Sequence, residues 1–232
     1  MTGALPPLSN YKGLGMLRNI IWDVDGTLFD TYPAINTAIQ HALRDLGKSV
    51  AIERIDSLSR ISLNHCLSAL ADEYQVSVEE IDETFEAYYD RVTLQEQPPF
   101  PGVIQLCEYI CSLGGKNVIV THRGQAGTVE LLAAHGMAAY FSGCVAREDG
   151  HPRKPDPAAF LAVMRAHALR PAETLTVGDR DIDILAGKAA GVFTCLFGPG
   201  NAGVAADLVI HDFEELYAFI QSRNNTGERM KE

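Results

Sequence analysis

Six short β-rich runs alternate with helical patterns along most of this chain, and that alternation limits the fold more than any other feature. The runs are RNIIWDV (18–24), KNVIVT (116–121), FSGCV (141–145), TLTVG (174–178), VFTCL (192–196) and DLVI (207–210). Helical patterns occupy 102–113, 125–135, 157–167, 181–190 and 212–222. Gly and Pro punctuate the joints at Pro101-Gly102, Gly114-Gly115, Gly136 and Gly191. Strands separated by single helices predict an α/β fold, a Rossmann-like parallel sheet with helices on both faces.

One interval breaks the rhythm. Residues 33–98 contain no strand-like run and read as three helices: PAINTAIQHALRDLG, DSLSRISLNHCLSALADEY and SVEEIDETFEAYYDRV. Pro33 suits a first helical turn, and Ser77 with Glu80 fits a capping box. The expected division is a core domain over 1–32 and 99–232, and an inserted helical domain over 33–98 closed by Pro98-Pro99. The insert holds five Lys or Arg against twelve Asp or Glu, so its surface is acidic.

The net charge of −11 argues against a nucleic-acid surface, which needs clustered Lys and Arg. No apolar run is long enough for a membrane span. The first sixteen residues lack the pattern of a signal peptide and read as a loose leader. Five cysteines, an odd number, suggest reduced thiols and a cytoplasmic location. Cys107 and Cys111 have no metal-binding partners nearby in sequence and read as small buried residues.

Two apolar runs end in carboxylates. Ile20-Ile21-Trp22 stops at Asp23, and Asp25 follows at i+2, a spacing that turns both side chains to one face if the strand continues. TLTVG stops at Asp179, with Asp183 one helical turn further on. Turn or N-cap roles would account for one Asp in each place, not for both strand ends. Ligands of open parallel sheets bind beyond the carboxyl ends of the strands. Carboxylates gathered there, with few His and no Cys nearby, form a hard oxygen site suited to Mg²⁺. Thr121 ends another strand, and Lys154 is pinned in a loop before Pro155. Together these residues supply what phosphoryl transfer needs: a nucleophile, a metal, and donors for the phosphoryl oxygens.

The order Asp-Val-Asp-Gly-Thr (23–27), Thr121, Lys154 and Gly-Asp-x-x-x-Asp (178–183) resembles the four motifs of the haloacid dehalogenase superfamily. The helical insert resembles the cap of its phosphoglycolate phosphatase-like branch. The resemblance implies a sheet order of 5-4-1-2-3 and a mobile cap. It implies that Asp23 attacks phosphorus and that Asp25 serves as acid and then base. Asp23, the backbone carbonyl of Asp25 and Asp179 would hold Mg²⁺, with Asp183 supporting the metal shell or orienting Lys154. Thr121 and Lys154 would bind the phosphoryl group. His122, Arg123 and, in the insert, Arg60 are candidate substrate contacts. Arg180 stands where much of this branch has a small Ser.

The expected activity is a Mg²⁺-dependent phosphatase acting on a small phosphorylated metabolite, with no nucleic-acid or membrane partner and no oligomeric state readable. A sugar-phosphate mutase would share every core residue. A non-catalytic protein on this fold would be expected to lose Asp23 or Asp25, and both are present.

Overall fold

The computed structural model describes residues 15–198 and 203–229, which form two compact units. The expected leader lies, up to residue 14, outside the described residues. One unit joins the segment ending at Phe29 to the chain from Pro99 onward; the other is Asp30–Pro98.

The first unit is built on six parallel strands: β1 (Asn19–Trp22), β2 (Lys116–Val120), β3 (Phe141–Val145), β4 (Thr174–Gly178), β5 (Phe193–Phe197) and β6 (Leu208–Ile210). Their order is β3-β2-β1-β4-β5-β6. This is the expected 5-4-1-2-3 order extended by β6 at the β5 edge. β1 is flanked by β2 and β4, with Trp22 opposite Ile119 and Val177. The residues that follow these three strands therefore emerge at the same end of the sheet.

Side chains of β1 alternate between faces. Ile21, with Val118 and Val120, packs against Phe160, Val163 and Met164 of helix α7 (Ala158–His167) and Ala186 and Ala190 at helix α8 (Asp181–Ala189). Trp22 points the other way, its ring 5.8 Å from Phe213 of helix α9 (Phe213–Arg229). Asn117 bridges this second side. It accepts from Trp22 Nε1 at 3.0 Å and donates to the Cys107 and Tyr140 carbonyls. Helices α5 (Val103–Ser112) and α6 (Gln125–Ala134) complete the unit. On α5 Cys107 is buried, but Cys111 is exposed, against expectation: it lies one turn further along the same face, beside the helix end, where its Sγ still reaches the Asn117 side chain of β2 at 3.6 Å.

The second unit is four helices around Ile39, Leu43, Leu58, Leu70, Ile81 and Phe85. They are α1 (Tyr32–Asp45), α2 (Ile52–Ser59), α3 (Leu63–Tyr74) and α4 (Val78–Tyr89). The single helix expected over 56–74 is two. Ser62 is fully extended (φ −173°) and its hydroxyl accepts from His65 N–H at 3.1 Å, so it starts α3 afresh. The Ser77–Glu80 capping box forms reciprocally on α4 at 3.0 and 3.2 Å.

Candidate active site

The turn after β1 wraps around one carbonyl. Val24 O accepts from the N–H groups of Thr27, Leu28 and Phe29, and Gly26 sits at φ +75°, a conformation that favours glycine. Asp23 stays tied to the sheet through its N–H to Val177 O at 3.0 Å. Its side chain shares the parity of Ile21 and so faces the α7 and α8 side.

Lys154 meets it there. Its Nζ donates to Asp23 Oδ1 and to Asp183 Oδ1, both at 2.6 Å, and to the Val120 carbonyl at 3.1 Å. All three side chains are within 2% of full burial. Asp183 lies in the first turn of α8, where its other oxygen accepts from Arg180 N–H at 3.3 Å. The carboxylate thus caps the helix and holds Lys154 at once. Gly178 permits this, because a Cβ there would lie 2.3 Å from Asp183 Cβ.

Burial pushes the Asp23 carboxyl above its ordinary 3.8; Lys154 pulls it back and Asp183 pushes it further up. Burial also works against the Lys154 charge, yet Asp183 and Asp23 outweigh it and hold the ammonium above its usual 10.5. With two carboxylates facing one ammonium, Lys154 stays charged and Asp23 shares that charge with Asp183.

Asp23, Asp179 and Asp183 each offer an oxygen, and these atoms lie within 4.8 Å of one another. Asp23 Oδ2 is buried and has no hydrogen-bond partner. An oxygen-only donor set with an orphaned buried oxygen fits a hard divalent cation. Thr27, fully buried, donates to Asp179 Oδ1 at 3.4 Å. Arg180 runs beside the same carboxylate, Nε 3.9 Å from Asp179 Oδ1.

The strand-β2 exit supplies the other wall. Thr121 is buried, and its Oγ1 accepts from Arg123 N–H at 3.0 Å, so its own hydroxyl hydrogen is available to an acceptor. Arg123 pairs with Asp25, Nη2 to Oδ1 at 2.8 Å. His122 turns to the Lys154 loop, its Nε2 accepting from Lys154 N–H at 3.0 Å. Burial and the nearby Lys154 charge press its pKa down to about 4, so the ring is a neutral acceptor.

Eight of the sequence-derived candidates therefore belong to the sheet unit: Asp23, Asp25, Thr121, His122, Arg123, Lys154, Asp179 and Asp183. Arg60 belongs to the helical unit. Its Nε lies 2.8 Å from Asp56 Oδ2 and its guanidinium 4.7 Å from the centre of the Tyr32 ring. Thr27 and the acceptor role of His122 were missed. Thr27 stood inside the Asp-Val-Asp-Gly-Thr motif and carried a signal; nothing in the sequence marks His122 as a partner of Lys154.

A family model of haloacid dehalogenase-like hydrolases matches residues 20–197. Phosphoglycolate phosphatase 1 of Pseudomonas aeruginosa is 30% identical over 184 residues, covering 75% of this chain and 67% of that protein. A hydrolase structure from Streptococcus pneumoniae TIGR4 superposes with a TM-score of 0.62 at 31% identity, over 79% of this chain and 94% of that one. A predicted phosphoglycolate phosphatase from Haemophilus somnus 129pt shares the fold, with a TM-score of 0.76 at 21% identity, over 89% of this chain and 99% of that one.

Proposed function

The chain belongs to the haloacid dehalogenase-like hydrolases, and we propose that it is a Mg²⁺-dependent phosphatase that hydrolyses a small phosphate monoester through an aspartyl-phosphate on Asp23. One observation carries this reading: Lys154 locks Asp23 Oδ1 while Asp23 Oδ2 is left without a partner among three clustered carboxylates. A carboxylate fixed through one oxygen is held in a single rotamer, the orientation an attacking nucleophile needs.

Asp23, Asp179, Asp183 and the Asp25 carbonyl would hold Mg²⁺. Bound there, the cation would offset the charge of the carboxylate cluster and draw charge from the phosphoryl oxygens. Lys154 keeps Asp23 in one rotamer and adds positive charge beside the phosphoryl group. Thr121 offers its hydroxyl hydrogen to a phosphoryl oxygen. In the first step an Asp23 oxygen bonds to phosphorus, the ester P–O bond breaks, and Asp25 gives its proton to the leaving oxygen. In the second, Asp25 takes a proton from water, the water oxygen bonds to phosphorus, and the P–O bond to Asp23 breaks. Phosphate leaves and Asp23 is restored.

The relatives' name suggests phosphoglycolate, a monoester with a carboxylate close to its ester oxygen, as the substrate. The helical unit is read as the cap that selects the leaving group, with Arg60 as its candidate contact. Initial rates on p-nitrophenyl phosphate and a panel of phosphate esters, with Mg²⁺ and with excess chelator, test the proposal. Activity should require Mg²⁺ and disappear in Asp23→Asn. Full activity in chelator overturns it.

A further inference from the structure

The carboxylate assigned as acid and base is already occupied. Arg123 Nε lies 3.1 Å from Asp25 Oδ1 and 3.3 Å from Oδ2, and Nη2 lies 2.8 Å from Oδ1. Both oxygens of Asp25 thus face a guanidinium, which is an awkward place for a group that must reach a leaving oxygen.

This pair differs in kind from the one beside it. The Lys154 contacts to Asp23 and Asp183 are sealed, with side chains 1–2% exposed. Arg123 and Asp25 are 15% and 27% exposed. A sealed pair cannot exchange partners without leaving an uncompensated buried charge; a pair open to solvent can. The main chain of Arg123 is nevertheless fixed. Its N–H donates to Thr121 Oγ1 at 3.0 Å, and its carbonyl accepts from Arg147 N–H at 3.2 Å. The guanidinium therefore extends from a backbone tied to Thr121, the residue assigned to the phosphoryl group. A guanidinium fork accepts one carboxylate as readily as another, or a phosphate.

We infer that Arg123 is a specificity-determining residue that exchanges partners: it holds Asp25 as a carboxylate in the free enzyme, and takes a second anionic group on the leaving-group side of the substrate, releasing Asp25 to take up a proton from solvent and carry it to the leaving oxygen. The inference rests on the phosphatase reading above and deepens it. The substrate class becomes small phosphate monoesters that carry a further carboxylate or phosphate near the ester oxygen. Esters without that anion leave the pair closed and are turned over poorly, whatever their fit elsewhere.

The test compares 2-phosphoglycolate with 2-hydroxyethyl phosphate, in which a neutral hydroxymethyl group replaces the carboxylate. Both are assayed with Mg²⁺ on wild type, Arg123→Gln and Arg123→Lys, with urea unfolding midpoints as the check on folding. Wild type should prefer the anionic ester in kcat/KM by about tenfold or more. Arg123→Gln should lower kcat/KM for the anionic ester by about 10- to 100-fold. The same change should raise kcat/KM for the neutral ester, because Asp25 is no longer held. Arg123→Lys keeps the charge without the fork, and its preference should fall between the two. If Arg123→Gln does not fold, the ratio in Arg123→Lys decides. A parallel loss on both esters makes Arg123 a support for Asp25 and overturns the exchange, as does a wild type with no preference. Hydrolysis of p-nitrophenyl phosphate without that preference fails this inference alone; no Mg²⁺-dependent hydrolysis of any ester fails the phosphatase reading with it.

Discussion

Lys154 sets one ammonium between two carboxylates in a place closed to water, and its removal should be costly. Lys154→Met leaves Asp23 and Asp183 facing each other unpaired, so unfolding free energy should fall by about 3–5 kcal/mol without metal. Mg²⁺ should restore part of that loss, since a ligand of the folded state stabilises it; urea titrations with and without the cation measure both. His122 gives a pH signature. Its folded pKa of about 4 lies below the ordinary 6.5, through burial first and the Lys154 charge second. As pH falls from 6.5 toward 4, the unfolded chain takes up a proton that the folded chain refuses, so stability falls across that window. In His122→Asn, which keeps an acceptor for Lys154 N–H, the unfolding midpoint should vary less steeply over the same range. The strand-end aspartates were legible in the sequence because each interrupts an apolar run. The His122–Lys154 and Arg123–Asp25 contacts were not, since they join residues 32 and 98 positions apart and depend on where two loops meet.

At the level of elements, period and punctuation carried the reading a long way. The runs at 141–145 and 174–178 are β3 and β4 to the residue, and the other strands shift by a residue or two at their ends. Strands buried on both faces are continuous apolar runs, which are easy to see. The helix over 56–74 failed for a local reason. Its apolar residues keep a helical spacing across Arg60–Ser62, and only the Ser62 hydroxyl capping His65 N–H reveals the break. That signal is weaker than the Ser77–Glu80 box, which has a partner at each end. The join between β4 and α8 carries the next prediction. In Gly178→Ala the new Cβ would lie 2.3 Å from Asp183 Cβ and 2.6 Å from its Oδ2. Stability should drop by about 1–3 kcal/mol. Phosphatase activity measured below the unfolding transition should drop as well, because Asp183 is displaced from Lys154. Full activity in a folded Gly178→Ala protein would show that the Asp183 position is not needed.

On the scale of the whole molecule, charge is unevenly shared. Residues 33–98 carry 5 − 12 = −7, and the remainder carries −11 + 7 = −4. A polyanionic leaving group meets repulsion that a small one escapes. ATP and phosphorylated oligonucleotide ends should therefore be poor substrates beside small monoesters, and the gap should narrow as salt is raised; a triphosphate as the best substrate would refute the charge argument. The order of the chain holds a further consequence. Leu17, just before β1, exchanges two 2.9 Å hydrogen bonds with the Asn224 side chain of α9. β1 itself takes its neighbours from residues 116–119 and 174–177. The strand that leads to Asp23 leaves a ribosome well before either of the strands it pairs with, and has to wait for both. The Asp30–Pro98 unit is continuous and has no such wait. During translation the acidic helices should become protease-resistant early. Catalysis should appear in ribosome-arrested chains only once α8 has cleared the exit tunnel, so birth order in this protein runs opposite to the order in which its parts become useful.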